Sequence, residues 1–449
     1  MSDGGRKLAR TSVADTWAIM SEVFLPTIAK GVIIRRPKVV GLAESLNLDT
    51  RAVKRMQKVR QRYGPGPVML RMPRKQALIL EPEHVRHVLD GSPEPFATAS
   101  WEKCQALAHF EPKGSLVSHG AERAERRRFN EQVLQTNEHM HKLAESFVAV
   151  AEREAQEILA AADEAGELTW QIYIEGWFRM VRLVIFGPSA RDDKKLRDMA
   201  DQLRSLANWA FLALPRPRLR KRFHQRIREH LSRGEEGSLA GYMTHIPQGQ
   251  ETAPEQQVPQ WLFAFDPAGM ASFRALGLLA SFPEHQERAR LEIHSHDAAH
   301  QPLSFLRAAV LESLRLWPTT PMVLRETTRD VAWDAGVMPK GTSVLIYAPY
   351  FHRDDERLAY AHRFEPDLWL GDPEDQNWPL IPFSAGPAVC PGRHIVLLQT
   401  SAMLASLLRE HAFEHVSAGR IDPNQTLPGT LDNYTLRFRL RRAATVRQA

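Results

Sequence analysis

Cys390 stands in Phe383-Ser-Ala-Gly-Pro-Ala-Val-Cys-Pro-Gly-Arg393, a stretch punctuated by glycine and proline that leads into an apolar, helix-patterned segment over residues 392–410. A thiol at the start of a helix meets free N–H groups and the positive end of the peptide dipoles. Both lower its pKa and stabilise the sulfur as a metal ligand. Cys104 lies near Trp101 and Phe110 with no comparable surroundings, and reads as a plain half-buried thiol. Two cysteines allow at most one intrachain disulfide, exclude a zinc site built of cysteine alone, and suit a reducing cytoplasm. His294, His296 and His300 read as a polar loop ahead of Pro302 rather than as a metal site.

The elements that must position Cys390 are mostly helices. Leu143, Phe147, Ala151, Ala155 and Ile158 recur at helical spacing, as do Trp170, Ile174, Phe178, Val181 and Ile185 before Gly187-Pro188. Leu219, Phe223, Ile227 and Leu231 share a face opposite Arg218, Lys221, Arg222, Arg226 and Arg228, which reads as a solvated face. A connector over residues 247–254 precedes a long apolar helix over 258–282, stopped by Pro283, and another helix follows over 303–317. The two apolar runs at 67–71 and 76–80 predict a hairpin, and short strands are expected near 323–324, 331–333 and 344–347. A short helix is expected at 81–89, and a long loop over 91–117.

The strands are too short and scattered for a Rossmann or barrel alternation, and no linker divides the chain. One mainly α domain over 1–449 is expected, with residues 1–60 partly outside the core and β-rich parts near 60–80 and 320–350. With 449 residues, 43% of them hydrophobic and 25% charged, the composition is globular, and its net charge of +6 is only mildly basic. No run approaches the ~20 apolar residues of a membrane span, and the opening lacks the apolar stretch of a secretory signal. A soluble, cytoplasmic monomer is the expectation. The basic balance alone carries no nucleic-acid-binding motif, so no nucleic acid is expected as a partner.

The Cys390 loop resembles the haem-ligating signature of the cytochrome P450 family, Phe-x-x-Gly-x-Arg-x-Cys-x-Gly, with Phe383, Gly386, Cys390 and Gly392 matching. Upstream, Glu312-Ser-Leu-Arg315 resembles the family's Glu-x-x-Arg helix, in which residues three apart share a face and pair as a clamp. Arg325, Met338-Pro-Lys-Gly-Thr342 and His352-Arg-Asp354 follow in the family's order. The resemblance spans roughly residues 60–440. It implies a helical prism with a small β subdomain, enclosing haem b between the long central helix and the cysteine loop. Cys390 would be the axial ligand, Phe383, Gly386 and Gly392 would surround the sulfur, and dioxygen activation would insert one oxygen atom into a C–H or C=C bond.

Three positions depart from the family pattern. Ala388 replaces a propionate-binding arginine, leaving Arg127 and Arg325 as the candidates to hold the haem propionates. Arg123 stands where the family's Trp-x-x-x-Arg helix has tryptophan. Leu368 replaces an arginine that would complete the Glu312–Arg315 network, so another partner is required, through Arg363 or main-chain carbonyls. In the central helix, Phe263-Ala-Phe-Asp-Pro267 aligns with the oxygen-activating segment. Asp266 keeps the acid there, while Pro267 replaces the threonine and should kink the helix. In an alternative register Ser272 supplies the alcohol.

By resemblance, electrons come from NAD(P)H through a ferredoxin and its reductase, with the Arg123–Arg128 run as a docking surface for an acidic donor. The proline also admits a peroxide-driven peroxygenase. The pocket candidates are Phe96, Phe263, Ala264, Phe265 and Val323, which suit a bulky apolar organic substrate.

Overall fold

The computed structural model describes residues 7–371, 378–417 and 420–443. The N-terminal helices are α1 (Val13–Ile19), α2 (Leu25–Ala29), α3 (Pro37–Ser45), α4 (Leu48–Tyr63), α5 (Pro82–Asp90), α6 (Trp101–Leu107) and α7 (Gly120–Leu134). The central group is α8 (Ala144–Ala165), α9 (Trp170–Phe186), α10 (Lys194–Ala207), α11 (Pro217–Leu231), α12 (Leu239–Tyr242) and α13 (Pro254–Ser281). Then come α14 (Pro283–Ser295), α15 (Ser304–Leu316), α16 (Ala348–His352) and α17 (Arg393–Leu408). Apolar side chains of α8, α9, α13, α15 and α17 meet in one large core. Burial of those faces, more than intrinsic helix propensity, holds the helices in place.

The main sheet has five strands: β1 (Val68–Met69), β2 (Gln76–Leu78), β3 (Phe96–Ala97), β5 (Met322–Thr327) and β8 (Ser343–Tyr347), in the order β1-β2-β8-β5-β3. Val68 faces Leu78 across the expected hairpin. A smaller sheet joins β4 (Leu168–Thr169), β10 (Arg437–Arg442) and β9 (His411–His415), and β6 (Val331–Trp333) pairs with β7 (Gly336–Met338). Strand β7 falls within the β-rich part expected near 320–350, whereas β4, β9 and β10 lie outside the expected strands. They are two to six residues long, too short for local alternation to announce them, and β4 pairs with β10 from the far end of the chain.

One expectation fails on packing. The stretch 91–117 is not one long loop. It holds β3, α6, whose N-cap Ser100 accepts from Lys103 N–H, and a 3₁₀ turn at Ser115–Val117. The N-terminal segment packs on the core in part: Ile19, Val23, Ala52 and Met56 are buried against the sheet cluster and Met69 N–H donates to the Ala9 carbonyl, while Trp17, Leu25 and Leu42 are exposed. Among the described residues no helix is long and apolar enough to cross a membrane.

Candidate functional site

The cysteine loop is built by its own backbone. Cys390 N–H donates to the Phe383 carbonyl (2.9 Å), Val389 N–H to that of Gly386 (2.9 Å), and Arg393 N–H to that of Cys390 (3.3 Å) as α17 begins. Gly386 has φ +66, and a Cβ there would lie 2.4 Å from the Leu89 carbonyl oxygen, so glycine is needed both for conformation and for close approach to α5. Gly392 has no such constraint. A Cβ there would make only ordinary contacts, with Ile395 and Leu134. Burial pushes the Cys390 thiol up, while the Gly392 N–H and the charges of Arg127 and Arg393 pull the other way. Burial thus outweighs the lowering expected of a thiol at a helix start.

Beside the loop four cations converge. Arg127 donates from Nε to Glu131 (2.6 Å), but its buried Nη2 has no partner. Arg325, buried on β5, reaches Ser92 Oγ (2.8 Å), the Leu324 carbonyl (2.9 Å) and Ser384 Oγ (3.2 Å). Arg123 donates to Thr98 Oγ1 (3.2 Å), and Lys103 Nζ to the carbonyls of Thr98 (3.1 Å) and Leu324 (3.0 Å). Burial and the charges of Arg325 and Arg123 bring Lys103 down to about 7, and burial with Arg123 brings Arg325 down to about 10. Among the described residues only Glu131 is ion-paired with any of the four, so positive charge is gathered here in excess, a costly arrangement unless an anion joins it. Lys103 was missed in the sequence; it lies on α6, inside the segment read as loop.

The arginine run is not a solvated or docking face. Arg126 is buried, bonded to Ser118 (2.7 Å), Glu122 (2.9 Å) and Glu251 (3.1 Å); Arg127 is buried, Arg123 is half-buried, and only Arg128 is exposed. Side chains held inside cannot steer an acidic partner.

Glu312 and Arg315 form a fully buried bidentate pair, with Arg315 Nε and Nη2 at 2.7 and 2.6 Å from the carboxylate. Arg315 also donates to the carbonyls of His352 (2.9 Å), Ala361 (3.2 Å) and Arg363 (2.7 Å), so Arg363 contributes its main chain. Glu312 accepts from Glu365 N–H (2.8 Å) and from Trp369 Nε1 (3.0 Å). The indole occupies the role left open at Leu368, one residue on.

Helix α13 runs unbroken through Pro259 and Pro267, so proline does not interrupt it. Gln260, Phe263, Ala264 and Pro267, at spacings of three, four and seven, form a partly exposed face in a helix that is otherwise mostly buried. Phe263 packs on Phe110, with ring centroids 6.1 Å apart. With the Gln260 amide turned to donate, its nitrogen lies 2.5 and 3.2 Å from the oxygens of Glu111. Glu111 is fully buried, and desolvation raises its pKa well above the ordinary carboxylate range. Asp266 points elsewhere and pairs with buried Arg204 of α10. Ser272 also leaves that face: its Oγ is buried near Tyr173 of α9, and neighbouring Gly269 packs on Trp177.

Of the pocket candidates, Phe263 and Ala264 lie on the open face and Val323 is partly exposed on β5. Phe96 and Phe265 do not belong with them. Phe96 is buried on β3 against His87 and Trp333, and Phe265 faces Trp177, whose Nε1 donates to the Phe265 carbonyl (2.7 Å). Both are core residues whose aromatic type imitated a pocket lining.

The family described as Cytochrome P450 matches residues 36–246 and 261–436. This chain is a member of the cytochrome P450 family. Among curated relatives it is 32% identical over 139 residues to cyclooctat-9-en-7-ol 5-monooxygenase of Streptomyces melanosporofaciens, covering 29% of this chain and 30% of that protein. It is 30% identical over 166 residues to probable cytochrome P450 4s3 of Drosophila melanogaster, covering 36% and 34%. The matched segments span about a third of the curated relatives' length. The fold agrees over most of the chain. A cyanobacterial cytochrome P450 solved with retinoic acid bound superposes with TM-score 0.69 at 18% identity, covering 86% of this chain and 94% of that one. The crystal structure of a second cytochrome P450 gives TM-score 0.69 at 18% identity over 87% and 98%.

Proposed function

We propose that this cytochrome P450 is a haem-thiolate monooxygenase that inserts one oxygen atom from dioxygen into an apolar organic substrate, with electrons delivered from NAD(P)H by a ferredoxin and its reductase. The observation that carries the reading is the join between the Cys390 loop and the cluster of Lys103, Arg123, Arg127 and Arg325. A thiol on a closed loop beside buried cations, one with an orphaned Nη2, suits an iron porphyrin with two propionates. In this reading Cys390 ligates iron, Phe383 and Gly386 shape the loop around the sulfur, and Gly392 offers its N–H. Arg127, Arg325, Lys103 and Arg123 hold the propionates in place of the arginine absent at Ala388. Haem b, when bound, supplies the dioxygen chemistry.

The chain's own share is to bind, exclude water and manage protons. Phe110, Phe263, Ala264 and Val323 offer an apolar lining, and the Pro267 face of α13 borders the reacting region. That face carries no hydroxyl, and Asp266 is engaged by Arg204. This combination favours a second reading, a peroxide-driven peroxygenase, in which no alcohol relay is required. The two separate by isotopic label: with a ferredoxin system and labelled dioxygen, the first reading expects one labelled oxygen atom in the product. Label arriving only from peroxide, with no turnover from the electron-transfer system, would establish the second.

A further inference from the structure

Between the N-terminal helices, the end of α15 and the 429–431 turn lies a cavity of about 50 Å³. A water needs about 10–15 Å³ measured this way, so the space admits a small anion or a head group but not a whole substrate. Lys30, Arg35, Lys54, Arg274 and Arg353 line it, against the two carboxylates of Asp49 and Asp355. Those carboxylates are already taken. Asp49 binds Lys30 (2.5 and 2.6 Å) and Thr430 (2.6 Å), and Asp355 binds Lys54 (2.8 Å). Arg353 is saturated by the carbonyls of Leu316, Leu427 and Pro428 and by His362.

Arg35 and Arg274 remain without a carboxylate among the described residues. Arg35 reaches only the carbonyls of Gly31 (2.6 Å) and Thr319 (2.7 Å). Arg274 reaches the carbonyls of Trp317 (3.0 Å) and Leu431 (3.5 Å) and Asn433 Oδ1 (3.0 Å), and its buried Nε has no partner. Carbonyl dipoles hold both guanidinium groups in place, Asp49 and Asp432 act on them only at a distance, and the buried charge of Arg274 beside half-buried Arg35 is costly until a counter-ion arrives.

We propose that Arg35 and Arg274 form a carboxylate-binding site at this cavity. Its occupant is a monoanion: either the acid group of an amphipathic substrate or a free small carboxylate. The cavity shares Pro321 and Leu431 with the segments leading to Val323 and Tyr434, and its Arg274 lies on α13 two turns beyond Pro267, on the same side of the helix. A head group bound here would leave an apolar tail directed toward the α13 face. That substrate form of the inference rests on the monooxygenase reading; the anion site itself does not.

The test uses the full-length, haem-loaded chain with dodecanoate, dodecanol and acetate as probes, in wild type, Arg35→Gln and Arg35→Lys. Acetate is expected to raise the melting temperature of wild type, less so of Arg35→Lys, and not of Arg35→Gln. If the occupant is a substrate acid, dodecanoate shifts the Soret band with about tenfold tighter affinity than dodecanol, as a charge-assisted contact allows. That ratio then collapses toward one in Arg35→Gln. Stabilisation by acetate without acid–alcohol discrimination assigns the site to a free anion. Equal response of wild type and Arg35→Gln to both acetate and dodecanoate overturns the proposal. Failure to acquire a haem spectrum would instead count against the monooxygenase reading and leave the acetate arm decisive.

Discussion

Replacing Trp369 by phenylalanine removes one hydrogen bond to a buried carboxylate and little else. The indole Nε1 lies 3.0 Å from Glu312 Oε2, and after its loss that oxygen keeps only Arg315 Nε at 2.7 Å. Glu312 is fully buried, so no water replaces the donor. A hydrogen bond to a charged group contributes about 1.5–3 kcal/mol, and Trp369 is only partly buried, so the smaller ring adds little. The expected destabilisation is about 2 kcal/mol, read as a lower denaturant midpoint with an unchanged slope. The Glu312→Gln background supplies the control, because removing the charge should take most of the Trp369→Phe penalty with it. A loss below about 0.5 kcal/mol, or the same loss in both backgrounds, would show that the indole does not do the work of the absent arginine.

Glu111→Gln should change how stability depends on pH. The Glu111 pKa is raised in the fold, so its contribution is full below the unfolded carboxylate's pKa and is lost as pH rises toward the folded value. The glutamine variant is therefore expected to gain about 1–3 kcal/mol over wild type at pH 8 and far less at pH 4, measured by denaturant unfolding. Lys103 is brought down to about 7, so a propionate that restores its charge makes haem binding take up a proton. Haem transfer to an acceptor globin should accordingly quicken between pH 6.5 and 8.5 in wild type and show a flatter profile in Lys103→Met. Pro267→Thr restores an N–H toward the Phe263 carbonyl and sets a hydroxyl on the open face; peroxide released per electron pair should fall. Ser272→Ala, on the α9 side of the same helix, should leave turnover within about twofold, a change under ~0.5 kcal/mol.

What the sequence disclosed follows the range of the interactions involved. The Cys390 loop, the Glu312–Arg315 clamp and the hairpin at Val68 and Leu78 depend on spacings of a few residues, and their order in the chain resembled one family. The partners that complete the site act across long separations. Trp369 lies 57 positions from Glu312, Arg204 lies 62 from Asp266, and Lys103 meets Leu324 at a separation of 221. No local pattern marks such pairs. Trp369 had one visible signal, an aromatic donor next to the position where arginine was missing. Phe96 and Phe265 show the converse error: aromatic type alone does not separate a core face from a pocket face, whereas the partly exposed spacing of Phe263, Ala264 and Pro267 does.

The central claim is that Cys390 binds haem iron through sulfur, and the carbon monoxide difference spectrum of the reduced, purified protein tests it most directly. Wild type and Cys104→Ser are expected to give the red-shifted Soret band of a thiolate-ligated haem, and Cys390→Ser to lose it. An unshifted band in wild type, or a red-shifted band that persists in Cys390→Ser, would contradict the assignment.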